Sequence, residues 1–394
     1  MADILRDEGS LIMEDEIKYE AVTIDNLDKV AMAAAQWGMN RSVGWLKRIL
    51  FDPTVDDLTQ DTVRGHMAIQ QGTRKLVAVQ CYYYQPVFFK KQKMLAESGC
   101  IMGADSKFAT EIFCVLEENK KSMMKTNIFI TNDLVNIKSF SIHRFYHSAQ
   151  PPFGGANTYL IAAADVRAYI SSVLNHALKR DGRIALALKQ VSMGIGNVVS
   201  RPLQWVINGG RIAISRLRGF KIERAMSFDS DGYKSFWARF LDSNSGLVSS
   251  REPTRMKWLF DESLKAENIY LYFAIREGSV EGYVLVRRMP QLNGELFEVM
   301  DICAVGNNVS CLKSLSCRVK REVSKLGGSR LNLYCYMDNV KDWFSGYTRK
   351  LDHECSLCRI DLPEIFNSLK CGEGWFFGPL DGERCMGYGG CIDL

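Results

Sequence analysis

The sequence predicts a mixed α/β (α+β) protein in which one mostly antiparallel domain occurs twice. Leu50-Phe51-Asp52 reappears as Leu259-Phe260-Asp261, about 209 residues later. The stretches Cys100–Gly103 and Cys303–Gly306 share their first and last residues at an offset of about 203. Such self-similarity at a nearly fixed offset indicates a repeated unit. We expect two tandem domains and a helical connector, with boundaries at 17–165, 166–219 (the connector) and 220–394.

The first copy predicts a strand, two helices, three strands, a helix, a strand and a last helix. The opening "KYEAVTI" (18–24) has the alternation of a strand, and the apolar residues that follow recur at helical spacing. Gly72 separates two apolar runs and predicts a hairpin. The next strand ends at Gly103 and leads into a helix. This order contains one β-α-β crossover in an otherwise antiparallel sheet.

The second copy repeats this order from a strand over 220–228. Its fourth strand ends at Gly306, and a helix follows with apolar residues at core spacing. We expect "NVKDWFSGYTRK" (339–350) to be a helix and "HECSLCRIDL" (353–362) to supply strand.

The connector contains a basic stretch over 184–221. It is either an amphipathic linker packed on the domains or a membrane-surface helix that places arginines near lipid phosphates. These arginines are Arg201, Arg211, Arg216 and Arg218.

The composition excludes several classes of protein. The 394 residues are 47% hydrophobic, which suffices for full-sized cores, and the net charge of +5 is too small to indicate nucleic-acid binding. No apolar run is long enough to span a membrane. The twelve cysteines mostly lie in apolar runs and no secretory signal is seen, so we expect a cytoplasmic protein.

The sequence predicts no metal site. The segment 353–371 contains Cys355 and Cys358 at Cys-x-x-Cys spacing, with His353 and Cys371 near them. However, no second such pair follows at zinc-finger spacing, and residues three apart on a strand point to opposite faces.

The repeated unit resembles the GCN5-related N-acetyltransferase (GNAT) family over about 17–160 and 220–394. The resemblance rests on the strand-helix-helix opening, on "MLAESGCIMGADSKFATEIF" and on the helices with a late aromatic, "TNDLVNIKSFSIHRFY" and "DNVKDWFSGY". The chain is also similar to tandem acetyltransferases of bacterial surface-polysaccharide gene clusters. This resemblance implies transfer of an acetyl group from acetyl-CoA to a small amine, with a role in polysaccharide biosynthesis.

In this family, backbone N–H groups in the turn after the fourth strand bind the pyrophosphate of coenzyme A. Both copies lack the two signature glycines of that turn, and Glu111 would repel a pyrophosphate. The resemblance still implies a set of cofactor-binding positions on the fourth strand, in the turn and after the fifth strand. They are Cys100, Ile101, Met102, Gly103, Ser106, Lys107, Phe108, Ala109, Thr110 and Asn132.

The resemblance also implies two catalytic residues in the first copy. Glu97 would be the general base, and Tyr146 would protonate the departing thiolate. The alternatives are a solvent-facing strand glutamate and a core tyrosine with a satisfied hydroxyl. In the second copy Glu298, Asp301 and Tyr347 hold comparable places.

The resemblance thus implies an N-acyltransferase whose acceptor is an amino sugar or a related cell-surface precursor. The second copy would support the site, complete an acceptor cleft between the domains, or mediate formation of a homodimer. Two alternatives remain. One is a FemABX-like aminoacyl transferase of cell-wall synthesis, for which a stronger positive field for tRNA is expected. The other is a non-catalytic scaffold or binding subunit, which the missing glycines favour.

Overall fold

The computed structural model describes residues 16–39, 42–56, 58–59, 61–122, 126, 128–131, 156–163, 204–207, 209–211, 213, 217–289, 296–328, 330–335, 340–344, 347–355, 357–360 and 362–370. Within these residues the strands form two seven-stranded sheets, each flanked by helices. The predicted mixed α/β class is confirmed.

The elements up to residue 163 are β1 Ile17–Ala21, α1 Leu27–Gln36, α2 Val43–Leu50, β2 Gly65–Gln70, β3 Lys75–Phe89, β4 Gln92–Ala104, α3 Glu111–Ser122, β5 Ile128–Thr131 and β6 Ala156–Ala163. From residue 221 they are β7 Lys221–Ala225, α4 Asp231–Ser243, β8 Val248–Ser249, α5 Pro253–Lys265, β9 Ile269–Arg276, β10 Ser279–Arg288, β11 Leu296–Ala304, α6 Val309–Lys325, β12 Arg330–Cys335, α7 Val340–Trp343, β13 Tyr347–Cys355, β14 Leu357–Ile360 and α8 Pro363–Lys370.

The two sheets exchange strands. The first sheet has the order β1-β2-β3-β4-β5-β14, with β8 added against β3, so two of its strands come from the second half of the chain. The second sheet has the order β13-β6-β12-β11-β10-β9-β7, in which β6 from the first half lies between β12 and β13. The sheets are therefore built from both halves, although the predicted boundaries 17–165, 166–219 and 220–394 stay a prediction.

The two similar stretches noted in the sequence contact each other. The indole N–H of Trp258 on α5 donates to the Arg48 carbonyl on α2 at 3.1 Å, and the Arg48 side chain bonds Glu262 and the Leu259 carbonyl. Beside them, one hydrophobic cluster contains residues from both halves, with Phe88 edge-on to Trp237 at 5.6 Å. The matched helices thus form part of the contact between the halves.

One predicted helix is wrong in its second part. Only Val340–Trp343 is helical, and Tyr347 begins β13, which pairs with β6. Pairing with a distant strand overrides the local helical pattern there. In the predicted connector, residues 204–207 and 209–211 are helical. No helix among the described residues is long and apolar enough to cross a membrane.

Candidate functional site

Each sheet contains one parallel strand pair that stops pairing part-way. In the first sheet Glu97 of β4 pairs with Phe129 of β5. Both strands then continue, but Ile130 and Thr131 pair only with β14 among the described strands. In the second sheet β11 pairs with β12 over Leu296–Val299, and both strands continue beyond this point without pairing to each other. We call these two points the first fork and the second fork.

A β-bulge lies beside each fork. The register between β3 and β4 skips Cys100, and the register between β10 and β11 skips Met300. A bulge bends its strand and increases the local twist, which turns β4 and β11 away from their parallel neighbours. The forks are therefore features of the strand geometry in both sheets.

Glu97 lies at the first fork. It is 9% exposed and faces Tyr84 of β3 in the strand register. The guanidinium of Arg64 lies 5.6 Å from the centre of the Tyr84 ring, and it donates to the carbonyls of Leu50, Thr62 and Thr59. Burial lowers the pKa of Arg64. Tyr84 is therefore the strand neighbour of the predicted general base and also lies beside the buried Arg64, which the sequence patterns did not reveal.

The predicted cofactor residues follow Glu97 along β4. The side chains of Cys100 and Ile101 are each 2% exposed and belong to the core, so only their backbone is available to a ligand. At Gly103 an added Cβ would lie 2.6 Å from the Trp37 ring and 2.7 Å from the Met39 methyl. Gly103 therefore allows close packing of the chain after α1. A glycine near a strand end is the sequence signal for such a close approach.

The turn after β4 holds the predicted positions Ser106, Lys107, Phe108, Ala109 and Thr110. Asp105 caps this turn: it accepts from the Lys107 backbone N–H at 3.1 Å and from Lys75 Nζ at 2.7 Å. The bonds from Lys75 and from the Lys107 N–H lower the pKa of Asp105. One backbone donor of the turn is therefore already used by a carboxylate, which opposes phosphate binding.

The second acidic group of this turn, Glu111, is held by β1. The Tyr19 hydroxyl donates to Glu111 Oε2 at 2.5 Å. Burial and this bond raise the pKa of Tyr19 above its usual range. Because the phenol holds the carboxylate, the expected repulsion between Glu111 and a pyrophosphate is reduced but not removed.

The turn after β11 is built differently. Gly306 and Asn307 both have left-handed backbone (φ 59° and 51°), and Asn308 caps α6 by accepting from the Cys311 N–H at 3.0 Å. The first turn of α6 has no acidic residue. An added Cβ at Gly306 meets no atom within 4 Å. This turn has fewer features that oppose an anion than the first one.

The carboxylates of the second fork are bound to arginines. Asp301 forms two bonds with Arg251 (2.7 and 3.0 Å) and accepts from the Tyr283 hydroxyl, and both charged side chains are fully buried. Glu298 accepts from Arg287 Nε at 3.0 Å and Nη2 at 2.5 Å. Burial and Asp301 raise the pKa of Tyr283 well above its ordinary value. Both carboxylates of the second fork therefore already have charged hydrogen-bond partners.

Several predicted features lie elsewhere. Tyr146 and Asn132 lie outside the described residues. The aromatic-rich run Tyr82, Tyr83 and Tyr84 on β3 is at most 3% exposed, so these rings belong to the interior and do not form an open stacking surface for sugars. No cluster of metal-ligating groups occurs among the described side chains. The side chains around Cys355 are not among them, so the Cys-x-x-Cys segment lies outside this statement.

Solved structures share this architecture. A GCN5-related N-acetyltransferase from Anabaena variabilis matches with a TM-score of 0.51 at 8% identity, over 88% of this chain and 74% of its own. The chain has the GNAT fold. A probable N-acyltransferase from Enterococcus faecalis, a conserved protein of unknown function, matches with a TM-score of 0.52 at 10% identity (89% and 74% coverage).

Saccharomyces cerevisiae N-myristoyltransferase with bound myristoyl-CoA has the GNAT-like arrangement in common with this chain. It matches with a TM-score of 0.51 at 10% identity, over 89% of this chain and 80% of its own. No protein-family model matches the sequence, and no curated protein resembles it in sequence. At these identities the likeness concerns the fold.

Proposed function

We propose that the protein is an acyl-CoA-dependent N-acyltransferase with its reaction centre at the first fork. The observation that carries this proposal is the place of Glu97, at the residue where β4 and β5 stop pairing. The predicted cofactor residues Cys100–Gly103 and Ser106–Thr110 follow it along one strand and one turn. The bound myristoyl-CoA of the yeast N-myristoyltransferase, which has a similar fold, supports an acyl-CoA ligand.

The backbone of β4 beyond Glu97 suits the pantetheine arm of coenzyme A. That arm carries two amides, and the edge of β4 that faces away from β3, which no described strand pairs with beyond Glu97, would pair with extended amides much as it would with an added strand. The following turn and α3 present N–H groups toward the pyrophosphate. Lys75 offsets the charge of Asp105 there, and Lys107 adds a second cation to the turn.

Glu97 would remove the proton from the attacking amine as its nitrogen bonds to the thioester carbonyl carbon. The carbon–sulfur bond then breaks, and the thiolate takes a proton, for which Tyr146 is the proposed donor. Asn132 is proposed to contact the cofactor. The roles of Tyr146 and Asn132 rest on the family resemblance alone.

The finer assignments are proposals of the same kind. They comprise acetyl-CoA as the acyl donor, an amino sugar or cell-surface precursor as the acceptor, polysaccharide biosynthesis as the process, tandem domains, a homodimer and a cytoplasmic location. They rest on the resemblance of the repeated unit to the tandem acetyltransferases.

A non-catalytic scaffold is the second candidate. It is favoured by two observations: arginines bind both carboxylates of the second fork, and Asp105 uses a backbone donor of the first turn. In this case the fold would present binding surfaces without acyl transfer.

Thermal unfolding with acetyl-CoA and with myristoyl-CoA separates these candidates. A ligand at 100 times its dissociation constant adds ~2.7 kcal/mol to the free energy of unfolding, so a clear rise in Tm is expected. Thr110→Glu should abolish the rise, whereas the matched variant Ser310→Glu at the second turn should retain it. If Ser310→Glu abolished the rise and Thr110→Glu retained it, the cofactor would instead be assigned to the second fork. No rise with either ligand would overturn the acyltransferase proposal and leave the scaffold.

A further inference from the structure

Large apolar side chains are exposed where the predicted connector meets the second sheet. The exposed fractions are 80% for Trp205, 61% for Val206, 36% for Ile207 and 87% for Leu217. Consecutive helical residues are about 100° apart around the axis, so 205–207 cover more than half of the helix circumference. Trp205 and Val206 are therefore mostly open to solvent, whereas Ile207 is about one third exposed. We call the described residues of 204–221 the docking patch.

The docking patch is attached to the second sheet at its end. Arg276 at the end of β9 donates to the Arg218 carbonyl at 2.9 Å, and its guanidinium lies 3.9 Å from the centre of the Phe220 ring. Phe220 is 3% exposed and belongs to the core of the second sheet. The exposed apolar residues are therefore held next to a stable part of the fold.

The sequence around the docking patch is strongly basic. Residues 183–221 contain seven Lys and Arg and no Asp or Glu, so this segment carries +7 in a chain whose total is +5. The remainder of the chain therefore carries −2. Such an asymmetry concentrates the positive field of the protein on one region.

A second basic element lies beside the docking patch. Helix α6 contains five basic residues and one acidic residue, Glu322. Arg211 lies close enough to Cys317 and Lys320 of α6 for their charges to interact. Because Lys320 itself is only 5% exposed, the described cations available at this surface are the partly exposed Arg211 and Arg218 of the patch.

We propose that the docking patch binds peripherally to an anionic membrane surface. Trp205 and the neighbouring aliphatic side chains would enter the headgroup region, where tryptophan is favoured, and the arginines would contact lipid phosphates. The charge favours an anionic partner, and the aliphatic residues favour lipid over nucleic acid because they do not stack on bases. The proposal is independent of acyl transfer, since it concerns a different surface.

Vesicle flotation of the full-length protein tests this proposal. Vesicles of phosphatidylcholine with phosphatidylserine should bind the protein, and vesicles of phosphatidylcholine alone should bind at least about tenfold less. Trp205→Glu combined with Leu217→Glu should reduce binding by about tenfold or more, and Trp205→Phe should retain it. Met32→Glu is the matched control, because Met32 is 64% exposed on α1, and it should leave binding unchanged.

Three outcomes would overturn the proposal. These are no binding to anionic vesicles at low salt, equal loss of binding in Met32→Glu, and single-stranded RNA displacing the protein from the vesicles through the same patch residues. Circular dichroism of the double variant shows whether it is still folded, so that reduced binding can be attributed to the changed surface and not to unfolding.

Discussion

The first and second forks have the same backbone plan but differ in the residues around it. In both, a central strand with a bulge separates from its parallel neighbour and leads through a short turn into a helix. The first fork has the glutamate of the predicted base but an acidic turn. The second fork has a turn without acidic residues, but its carboxylates are bound to arginines.

The two forks therefore differ in the charge of their turns, although their strands are arranged in the same way. Asp301 and Arg251 form a fully buried ion pair inside the second half. The proposed reaction centre assigns the base to Glu97 and gives Glu298 and Asp301 structural roles. The following predictions test this division of roles.

The largest effect is expected from separating the halves. A chain of residues 217–394 lacks β6, which is the described neighbour of both β12 and β13, so it should not unfold cooperatively on its own. Co-expression with residues 1–216 should restore a cooperative transition, as followed by circular dichroism. An isolated 217–394 that melts as sharply as the full chain would contradict the importance of the exchanged strand.

Glu97→Gln should reduce the rate of acyl transfer by about 10²–10⁴, because it removes the proposed base while keeping the shape of the side chain. The matched variant Glu298→Gln leaves the first fork unchanged, so its kcat should remain close to that of the parent. Both are measured by release of free coenzyme A. Equal losses in the two variants would show that the forks do not differ in this way.

Asp301→Ala should lower the free energy of unfolding by about 3–5 kcal/mol, because it leaves Arg251 buried without its carboxylate. Urea denaturation measures this change. The double variant Arg251→Met with Asp301→Leu removes both charges and should recover most of the loss. If the double variant is no more stable than Asp301→Ala, the ion pair is not the reason for the loss.

Lys320 on α6 should make the stability of the protein depend on pH, and this effect has its origin in the second half of the chain. Burial lowers the pKa of Lys320 from 10.5 to about 8, so between these values the unfolded chain holds a proton that the folded chain has lost. The free energy of unfolding therefore rises with pH in this window, by about 3 kcal/mol in total. Lys320→Met should lack the gain, so its stability advantage should be greatest near pH 7 and shrink by pH 10. Parallel pH curves for the two proteins would refute this.

The smallest effects concern the glycines of the two turns. Gly103→Ala should cost about 1–3 kcal/mol because the new Cβ meets the Trp37 ring. Gly306→Ala meets no neighbour, and it should cost about 1 kcal/mol through its left-handed φ of 59°. Trp37→Leu should relieve only the first cost. Tm measurements on these variants show whether a glycine is needed for space, as at Gly103, or for its backbone conformation, as at Gly306.

Much of the fold could be predicted because its signals are local. The apolar spacing of α5 and α6, the hairpin of β9 and β10 and the glycine ends of β4 and β11 all follow from residues close together in sequence. For the candidate site, the sequence predicted only that Glu97 and the residues Cys100–Gly103 follow one another along β4. The bond from Tyr19 to Glu111 and the bond from Arg251 to Asp301 join residues 92 and 50 positions apart, and no spacing rule relates them.

The sequence by itself determined the mixed α/β class, most of the local elements and the basic character of 183–221, since periodicity and charge are properties of neighbouring residues. Only the tertiary structure decided which strand pairs with which. A strand pattern specifies that an edge must be paired, but it does not name the partner, and here β6 and β14 pair in the sheet of the other half. The same holds for Glu97 and Asp301, whose different chemistry depends on the side chains that distant segments bring to them.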